Sequence, residues 1–244
     1  MNTLSISGKN WILKEYNPDD LVFFKENFSL DEITSKLLSI RKIKKEEINS
    51  FLNPSIKSFL PNPNDLIDMV KTTSRSVKII REKEKIGIFG DYDVDGATST
   101  ALLGNYFSEL NLDYEVYIPD RKKEGYGPSI KSFEQLINKN VKVIFTVDCG
   151  TLSFDAIKYA KEKKVDVIVL DHHQSEIKLP SAFSVVNPNR IDDKSNLQYL
   201  CAAGVAFMFL VSLNRELRSL DWFKKNNIKE PNLINYLDLV SLGT

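Results

Sequence analysis

The sequence predicts an α/β protein: a parallel β-sheet with helices on both faces, preceded by a mostly helical N-terminal region. From residue 82 onward, short apolar runs alternate with segments of helical spacing. Three of the apolar runs end in turns that carry aspartate or histidine. Before residue 82, helical spacing is interrupted by proline-containing breaks. We therefore expect a helical region over residues 1–81 and an α/β domain over residues 82–244.

The N-terminal region contains three segments in which apolar residues recur at helical intervals. They occupy residues 30–40, 44–52 and 66–81. Asn53-Pro54 ends the second segment, and a run of alternating proline and asparagine at residues 61–64 precedes the third. No pattern in this region indicates a catalytic or binding chemistry.

The α/β part is predicted from the order of its elements. Apolar runs typical of strands occupy residues 86–89, 114–118, 141–147, 165–170 and 182–186. Helical spacing occupies residues 97–110, 129–137 and 153–163, each between two of those runs. Because parallel strands need a long crossover connection, usually a helix, this alternation indicates a parallel sheet covered on both faces.

Composition excludes several classes of protein. The 244 residues are 42% hydrophobic, which is enough for a sizeable core and excludes wholesale disorder. The 33 basic and 33 acidic residues give no net charge, so only a local basic groove would favour nucleic acid. The two cysteines, Cys149 and Cys201, have no CxxC spacing, which excludes a disulfide scaffold and a zinc ribbon.

The location of the protein is predicted from absent targeting signals. The first residues lack a basic segment followed by a long apolar one, so we expect no signal peptide. The longest apolar stretch, residues 202–213, is shorter than the roughly 20 residues that a membrane-spanning helix needs. We expect a soluble cytoplasmic protein without membrane contact.

Polar residues follow three of the predicted strands at the point where each strand ends. They are Asp91, Asp93 and Asp95 in the first turn, Asp148 in the second, and Asp171, His172 and His173 in the third. Ligands bind outside the carboxyl ends of the strands in open α/β sheets, and parallel strands point these ends the same way. The three turns are therefore expected to form one site.

Two familiar motifs fail to explain the first turn. Asp91-x-Asp93-x-Asp95-Gly96 matches the start of a calcium-binding EF-hand loop, but Leu102 stands where a bidentate glutamate is needed, and a strand precedes the loop. Residues 87–90 lack the G-x-G-x-x-G spacing of a dinucleotide-binding turn.

Divalent metal explains the turns better. Three aspartates within five residues repel one another, and a cation offsets that repulsion. A set of carboxylates with one or two histidines suits Mn²⁺ or a related transition ion. The ligands are enough for two ions that share a carboxylate, an arrangement that hydrolyses phosphoesters.

Simpler interpretations exist for several of these residues. An acidic turn after a strand usually caps a helix, and Asp148 fits that role too. Adjacent core histidines would both need polar partners, so the concentration of the chain's only histidines at 172 and 173 favours a metal site.

Cys149 is expected to be a packing residue. Residues 187–190 are expected to form a turn, and Arg121 or Arg190 to bind phosphate.

Four ordered motifs resemble those of the DHH phosphoesterase superfamily. They lie at residues 89–96, 147–150, 171–173 and 237–244. Within the superfamily, further segments resemble the single-stranded-DNA-specific exonucleases: residues 51–54, 118–121, 124–127, 186–188 and 203–207.

This resemblance implies a 5′-to-3′ exonuclease that hydrolyses phosphodiester bonds of single-stranded DNA in repair and recombination. It also implies two divalent ions, Mn²⁺ by preference or Mg²⁺. By position, it implies as metal ligands Asp91, Asp93, Asp95, Asp148, His172 and Asp238. Asp148 would bridge the two ions. This chain has Phe89 at a position where many superfamily members have a histidine. His173 would contact the scissile phosphate, and Asp171 would orient the imidazole next to it.

The end of the chain departs from the family pattern. Members continue beyond the fourth motif into further domains, so we expect this chain to be a fragment or a truncated form. Its expected partners are single-stranded DNA and proteins of the repair machinery. Two alternatives stay open: a DHH phosphodiesterase for short oligonucleotides or cyclic dinucleotides, and a non-catalytic DHH-fold interaction protein.

Overall fold

Residues 5–244, apart from the side chain of Lys57, are described by a computed structural model in which the chain divides between Leu60 and Pro61 into two units. The smaller unit contains helices α1 (Pro18–Phe28), α2 (Glu32–Ile40), α3 (Ile48–Leu52) and α4 (Ile56–Phe59). Asp31 begins α2 because its carboxylate accepts hydrogen bonds from the backbone N–H groups of Ile33 and Thr34. The core of this unit consists of Phe24, Leu38 and Ile48.

The larger unit is built on five parallel strands. They are β1 (Ile86–Gly90), β2 (Tyr114–Tyr117), β3 (Val143–Val147), β4 (Asp166–Leu170) and β5 (Ser184–Val186). Their order in the sheet is β2-β1-β3-β4-β5. The parallel sheet predicted from the alternating pattern is therefore confirmed.

Helices cover both faces of this sheet. The larger unit contains α5 (Met69–Glu82), α6 (Val94–Glu109), α7 (Ile130–Asn138), α8 (Phe154–Glu162), α9 (Ala202–Ser219), α10 (Trp222–Lys225) and α11 (Leu237–Gly243). On one face, Phe133 of α7 and Ile157 of α8 join a buried cluster with Ile144 of β3. On the other, the ring of Phe145 lies 5.4 Å from that of Phe107 in α6 and 5.5 Å from that of Phe209 in α9. Neighbouring residues of β3 thus point into opposite cores, as the period of a strand requires.

Helix α9 contains the longest apolar stretch of the sequence. Its residues from Ala202 to Asn214 are all buried, because α9 packs against α5 and α6 as well as the sheet. Among residues 5–244, no helix combines the length and the apolar character needed to cross a membrane.

One element begins earlier than the spacing predicts. Helix α6 starts at Val94 rather than near residue 97, because the Asp93 carboxylate accepts a hydrogen bond from Gly96 N and caps the helix. Asp95 therefore lies in the first turn of α6 rather than in a loop.

Candidate metal centre

The register of the sheet aligns the ends of four strands. Gly90 pairs with Val147, Val147 pairs with Leu170, and Leu170 pairs with Val186. The residues that follow these strand ends are Asp91, Asp148, Asp171 and Asn187. Four polar residues therefore stand in one row along the carboxyl edge of the sheet, and the three turns singled out by the sequence belong to it.

Two groups of potential metal ligands overlap in this row. One consists of Asp148, His172 and His173, and the other of Asp91, Asp93 and Asp148. Within each group, one ligand atom per residue lies within 4.8 Å of the others. Because Asp148 belongs to both groups, it is the carboxylate that two bound ions would share.

Asp148 is held in an uncommon backbone conformation. Its φ angle of 61° lies in the left-handed region, which few residues other than glycine adopt. Its backbone N–H donates to Leu170 O over 3.1 Å, and its carbonyl accepts a hydrogen bond from the Tyr126 hydroxyl over 3.0 Å. These contacts fix the direction of the carboxylate.

The Asp148 carboxylate is almost completely buried. Its Oδ1 lies 3.2 Å from His172 Nε2, but the contact lacks hydrogen-bond angles, so this oxygen has no hydrogen-bond partner among the described residues. Burial, together with the charges of Asp95 and Asp93, raises the pKa of Asp148 to about 6, although His172 acts in the opposite direction.

A divalent cation fits these residues. Oδ1 of Asp91 is a second buried carboxylate oxygen without a hydrogen-bond partner in the described part of the chain. Burial also raises the pKa of Asp91. A buried unpaired carboxylate costs several kcal/mol, which a bound cation offsets. The oxygen and imidazole donors match the preference of Mn²⁺ and related ions.

Asp95 binds the start of helix α9. Its two carboxylate oxygens accept hydrogen bonds from Ala202 N and Ala203 N, at 2.7 Å and 2.8 Å. Its Oδ2 also lies 3.5 Å from His172 Nε2, so it borders the ligand groups without belonging to either. The structure thus shows Asp95 as a link between the site and α9.

Asp238 stands apart from both ligand groups. It lies in the first turn of α11, is exposed, and accepts a hydrogen bond from Leu239 N over 2.7 Å. Gly243, at the other end of α11, lies beside Asp95, since a Cβ atom built on it would lie 2.9 Å from Asp95 Oδ1. The structure therefore brings Asp91, Asp93, Asp148 and His172 together but not Asp238.

The Asp171 carboxylate supports the turn that carries both histidines. It is buried, and its Oδ1 accepts hydrogen bonds from His172 N, His173 N and His173 Nδ1, over 2.7, 3.2 and 2.8 Å. The imidazole that it orients is thus that of His173, and not that of the neighbouring His172 as the sequence suggested.

These hydrogen bonds change the pKa values of both partners. The hydrogen bond to Asp171 raises the pKa of His173 to about 9, although partial burial of the ring acts against it. Burial acts to raise the pKa of Asp171, but hydrogen bonds from His173 and Thr151 outweigh it and lower that pKa.

Tyr126 is a site residue that sequence reasoning missed. Its hydroxyl, besides donating to Asp148 O, lies 3.2 Å from His173 Nδ1 and 3.3 Å from Nε2. Gly125 and Gly127 on either side have φ angles of 80° and 79°, which a residue with a Cβ atom rarely adopts. A tyrosine between two such glycines in a loop after a strand was the available signal.

The two arginines predicted to bind phosphate have different surroundings. Arg121 is exposed, and its guanidinium lies 5.1 Å from the centre of the Tyr92 ring, next to the first aspartate turn. Arg190 is buried, donating to Val185 O over 2.7 Å and pairing with Asp68 and Asp192 at 3.1 Å and 2.7 Å. Because the protein itself engages this guanidinium, these contacts do not favour a phosphate contact at Arg190, which stays a prediction.

Cys149 and the turn at residues 187–190 have the structures that the sequence suggested, and the turn makes further contacts. Cys149 is buried in the core cluster on the α7 and α8 face, and burial raises its pKa well above that of an ordinary thiol. Residues 187–190 form a turn, but Asn187 and Asn189 donate hydrogen bonds to the carbonyl groups of His173 and His172. This contact was not predicted.

The fold and this edge of acidic residues and histidines define the class of protein. Residues 85–244 match the DHH family, N-terminal domain, and the chain belongs to this family.

Two curated relatives are similar to most of this chain. The single-stranded-DNA-specific exonuclease RecJ of Haemophilus influenzae is 39% identical over 194 residues, which cover 79% of this chain and 33% of that protein. RecJ of Escherichia coli strain K12 is 38% identical over 196 residues, with the same two shares. The chain thus spans 33% of the length of these curated relatives.

A solved structure shows the same fold. The crystal structure of exonuclease RecJ bound to manganese is similar with a TM-score of 0.61 and 29% identity, over 73% of this chain and 43% of that one. The resemblance that the four motifs indicated is therefore confirmed.

Proposed function

We propose that this chain carries the metal centre of a 5′-to-3′ exonuclease that hydrolyses phosphodiester bonds of single-stranded DNA. The observation that carries the proposal is the pair of buried, unpartnered oxygens, Asp91 Oδ1 and Asp148 Oδ1, beside His172. Similarity to RecJ exonucleases supports the choice of substrate and of DNA repair as the process. Single-stranded DNA and repair proteins are the proposed partners.

The centre takes two divalent ions, with Mn²⁺ preferred and Mg²⁺ accepted. The proposed ligands are Asp91, Asp93, Asp148 and His172, which lie together at the sheet edge, and Asp95 and Asp238, which the motif resemblance adds. Asp148 is shared, which its membership of both ligand groups supports. When bound, such a pair of ions activates water and stabilises the charge that develops on the attacking and leaving oxygens of the phosphodiester.

The protein's own groups orient the substrate. His173 is partly exposed while its Nδ1 is held by Asp171, so its ring is available at the surface in one orientation. We assign it the contact with the scissile phosphate. We assign a second phosphate contact to Arg121, which is exposed beside Tyr92. Within residues 5–244, its guanidinium forms no ion pair with a carboxylate, so it is available to a phosphate.

The test measures release of labelled mononucleotides. The chain is incubated with Mn²⁺ and single-stranded DNA labelled at the 5′ end, and a duplex of the same sequence is the control substrate. We expect release from the single strand that is lost in Asp148→Ala and kept in Asp113→Asn, a change at an exposed aspartate paired with Lys85. Release that persists in Asp148→Ala would contradict the proposed centre.

The substrate class is tested separately. A panel adds dinucleotides and cyclic dinucleotides to the long single strand, at equal concentration of scissile bonds. Faster hydrolysis of the dinucleotides would favour the oligonucleotide phosphodiesterase instead. A chain that binds no Mn²⁺ in calorimetry would favour the non-catalytic alternative.

A further inference from the structure

Asn187 is a fully buried amide at the end of strand β5, in the same row as Asp148 and Asp171. Its Nδ2 donates two hydrogen bonds, to Thr151 Oγ1 and to His173 O, both over 2.8 Å. Its Oδ1 accepts a hydrogen bond from Asn189 N over 2.7 Å. Both donor hydrogens and the acceptor of this side chain are therefore used.

These hydrogen bonds form part of a closed circuit. Thr151, which Asn187 contacts through its hydroxyl, donates its backbone N–H to Asp171 Oδ2 over 3.0 Å. Asp171 Oδ1 in turn accepts from His173 Nδ1 over 2.8 Å, and the His173 carbonyl returns to Asn187. The circuit joins the turns after β3, β4 and β5, and three of its four side chains are buried.

A second arm reaches the other histidine. Asn189 Nδ2 donates to the carbonyl of His172, so each histidine carbonyl is bound by one amide of the same turn. Arg190, the next residue, anchors this turn from the other side through Val185 O and Asp68. The backbone of the histidine pair is thus hydrogen-bonded to the turn after β5.

The direction of both imidazoles depends on this backbone. His172 points its Nε2 towards Asp148, whereas His173 points its Nδ1 towards Asp171. An amide is the side chain that suits the position, because the circuit needs two donors and one acceptor from a single residue. Aspartate has the same shape but donates neither bond.

We propose that Asn187 is a positioning residue for the histidine pair, setting the orientation of His172 towards the metal centre and of His173 towards the substrate. The role in metal binding rests on the function proposed above. The orientation of the two rings does not, because the circuit consists of protein groups alone.

The experiment compares Asn187→Ala and Asn187→Asp with the control Asn214→Ala. Asn214 is also a buried asparagine of the larger unit, donating to Pro231 O and accepting from the Tyr106 hydroxyl, and it touches none of the residues in the circuit. Each variant is examined by thermal unfolding, by Mn²⁺ titration calorimetry, and by ¹⁵N NMR of the imidazoles without metal. The chain contains only two histidines, so the imidazole spectrum reports on this pair alone.

For both Asn187 variants, we expect the imidazole signals to move in the metal-free protein and the Kd for Mn²⁺ to rise about tenfold or more, the usual effect of losing support behind a metal ligand. Asn214→Ala should lower the unfolding temperature with neither change. Imidazole signals of Asn187→Ala that match the wild type would overturn the proposal, as would equal changes in Asn214→Ala.

The metal-free spectra keep the role of Asn187 separate from the proposed metal centre. If the wild type binds no Mn²⁺, the metal centre fails while the imidazole spectra still decide the role of Asn187. If the Asn187 variants do not fold, Asn189→Ala at the less buried end of the turn is used, and it should move the His172 signals more than those of His173. Unchanged His172 signals in that variant would count against the proposal.

Discussion

Oδ1 of Asp148 lies 3.2 Å from Nε2 of His172, where the ends of two neighbouring parallel strands bring the second and third motifs together. The two side chains are close but not hydrogen-bonded, and the carboxylate is buried. This relationship leaves a charge poorly compensated in the protein alone. The charge of Asp148 should therefore influence the stability of the protein, its affinity for metal, and the way in which both depend on pH.

Replacing Asp148 by asparagine is expected to stabilise the metal-free protein at neutral pH. The pKa of Asp148 is raised from 3.8 to about 6 in the folded protein, so the folded state binds the proton more tightly and stability falls as pH rises through this interval. An asparagine side chain at this position carries no charge and tolerates the left-handed backbone. We expect the free energy of unfolding of Asp148→Asn to exceed that of the wild type by on the order of 2 kcal/mol at neutral pH. Near pH 4, the difference should be much smaller.

The measurement is urea unfolding in a chelating buffer at both pH values. Asp113→Asn is the control, since Asp113 is exposed and pairs only with Lys85 among the described residues. A difference between Asp148→Asn and the wild type that is the same at both pH values would show that the charge of Asp148 is not the cause.

Mn²⁺ is expected to stabilise the wild-type chain and to leave Asp148→Asn nearly unchanged. A ligand at one hundred times its Kd stabilises the folded state by about 2.7 kcal/mol, provided that it does not bind the unfolded chain. The unfolding temperature is measured with Mn²⁺, with Mg²⁺ and with excess chelator. A rise of the same size in Asp148→Asn would mean that the ion binds elsewhere.

Tyr126→Phe is expected to weaken the site without unfolding the protein. The change removes a hydroxyl that donates to Asp148 O and contacts His173, and one such hydrogen bond contributes about 1 kcal/mol. We expect a Kd for Mn²⁺ several-fold higher than that of the wild type. Tyr199→Phe is the control, because Tyr199 is exposed and lies outside the site. Equal Mn²⁺ affinity of Tyr126→Phe and the wild type would remove Tyr126 from the site.

Much of the fold and part of the site were predictable from local patterns. The five strands are short apolar runs, and the aspartates stand directly after them, so both the sheet and its carboxyl edge follow from the order of residues. The start of α6 was missed because Asp93 is both a candidate ligand and a helix cap. The domain boundary after residue 81 stays a prediction.

The missed residues depend on contacts between distant parts of the chain. Asn187 has the local sequence of an ordinary Asn-Pro turn, and only the pairing of β4 with β5 places it beneath the histidines. Arg190 looks like an available cation until the fold brings Asp68, 122 residues earlier, to within 3.1 Å. Such relationships are set by register, which composition and spacing do not reveal.

Arg121→Ala and Arg190→Ala are expected to have opposite effects, although both remove one positive charge. Arg121 is exposed, so its loss should change stability by less than about 0.5 kcal/mol. Its proposed phosphate contact should disappear, which weakens binding of single-stranded DNA. The plot of the logarithm of the association constant against the logarithm of the salt concentration should become less steep by about 0.7. Arg190 is buried with two aspartates and a carbonyl, so its loss should destabilise the protein by about 2 kcal/mol or more.

The two arginine variants are compared by urea unfolding and by fluorescence anisotropy with a labelled single strand at several salt concentrations. In both assays, Lys163→Ala serves as a control for the loss of one exposed cation, at the C-terminal end of α8. Folded Arg190→Ala should keep the salt slope of the wild type, because its guanidinium faces protein groups. A reduced slope in Arg190→Ala together with an unchanged slope in Arg121→Ala would reverse the assignment and place the phosphate contact at the turn after β5.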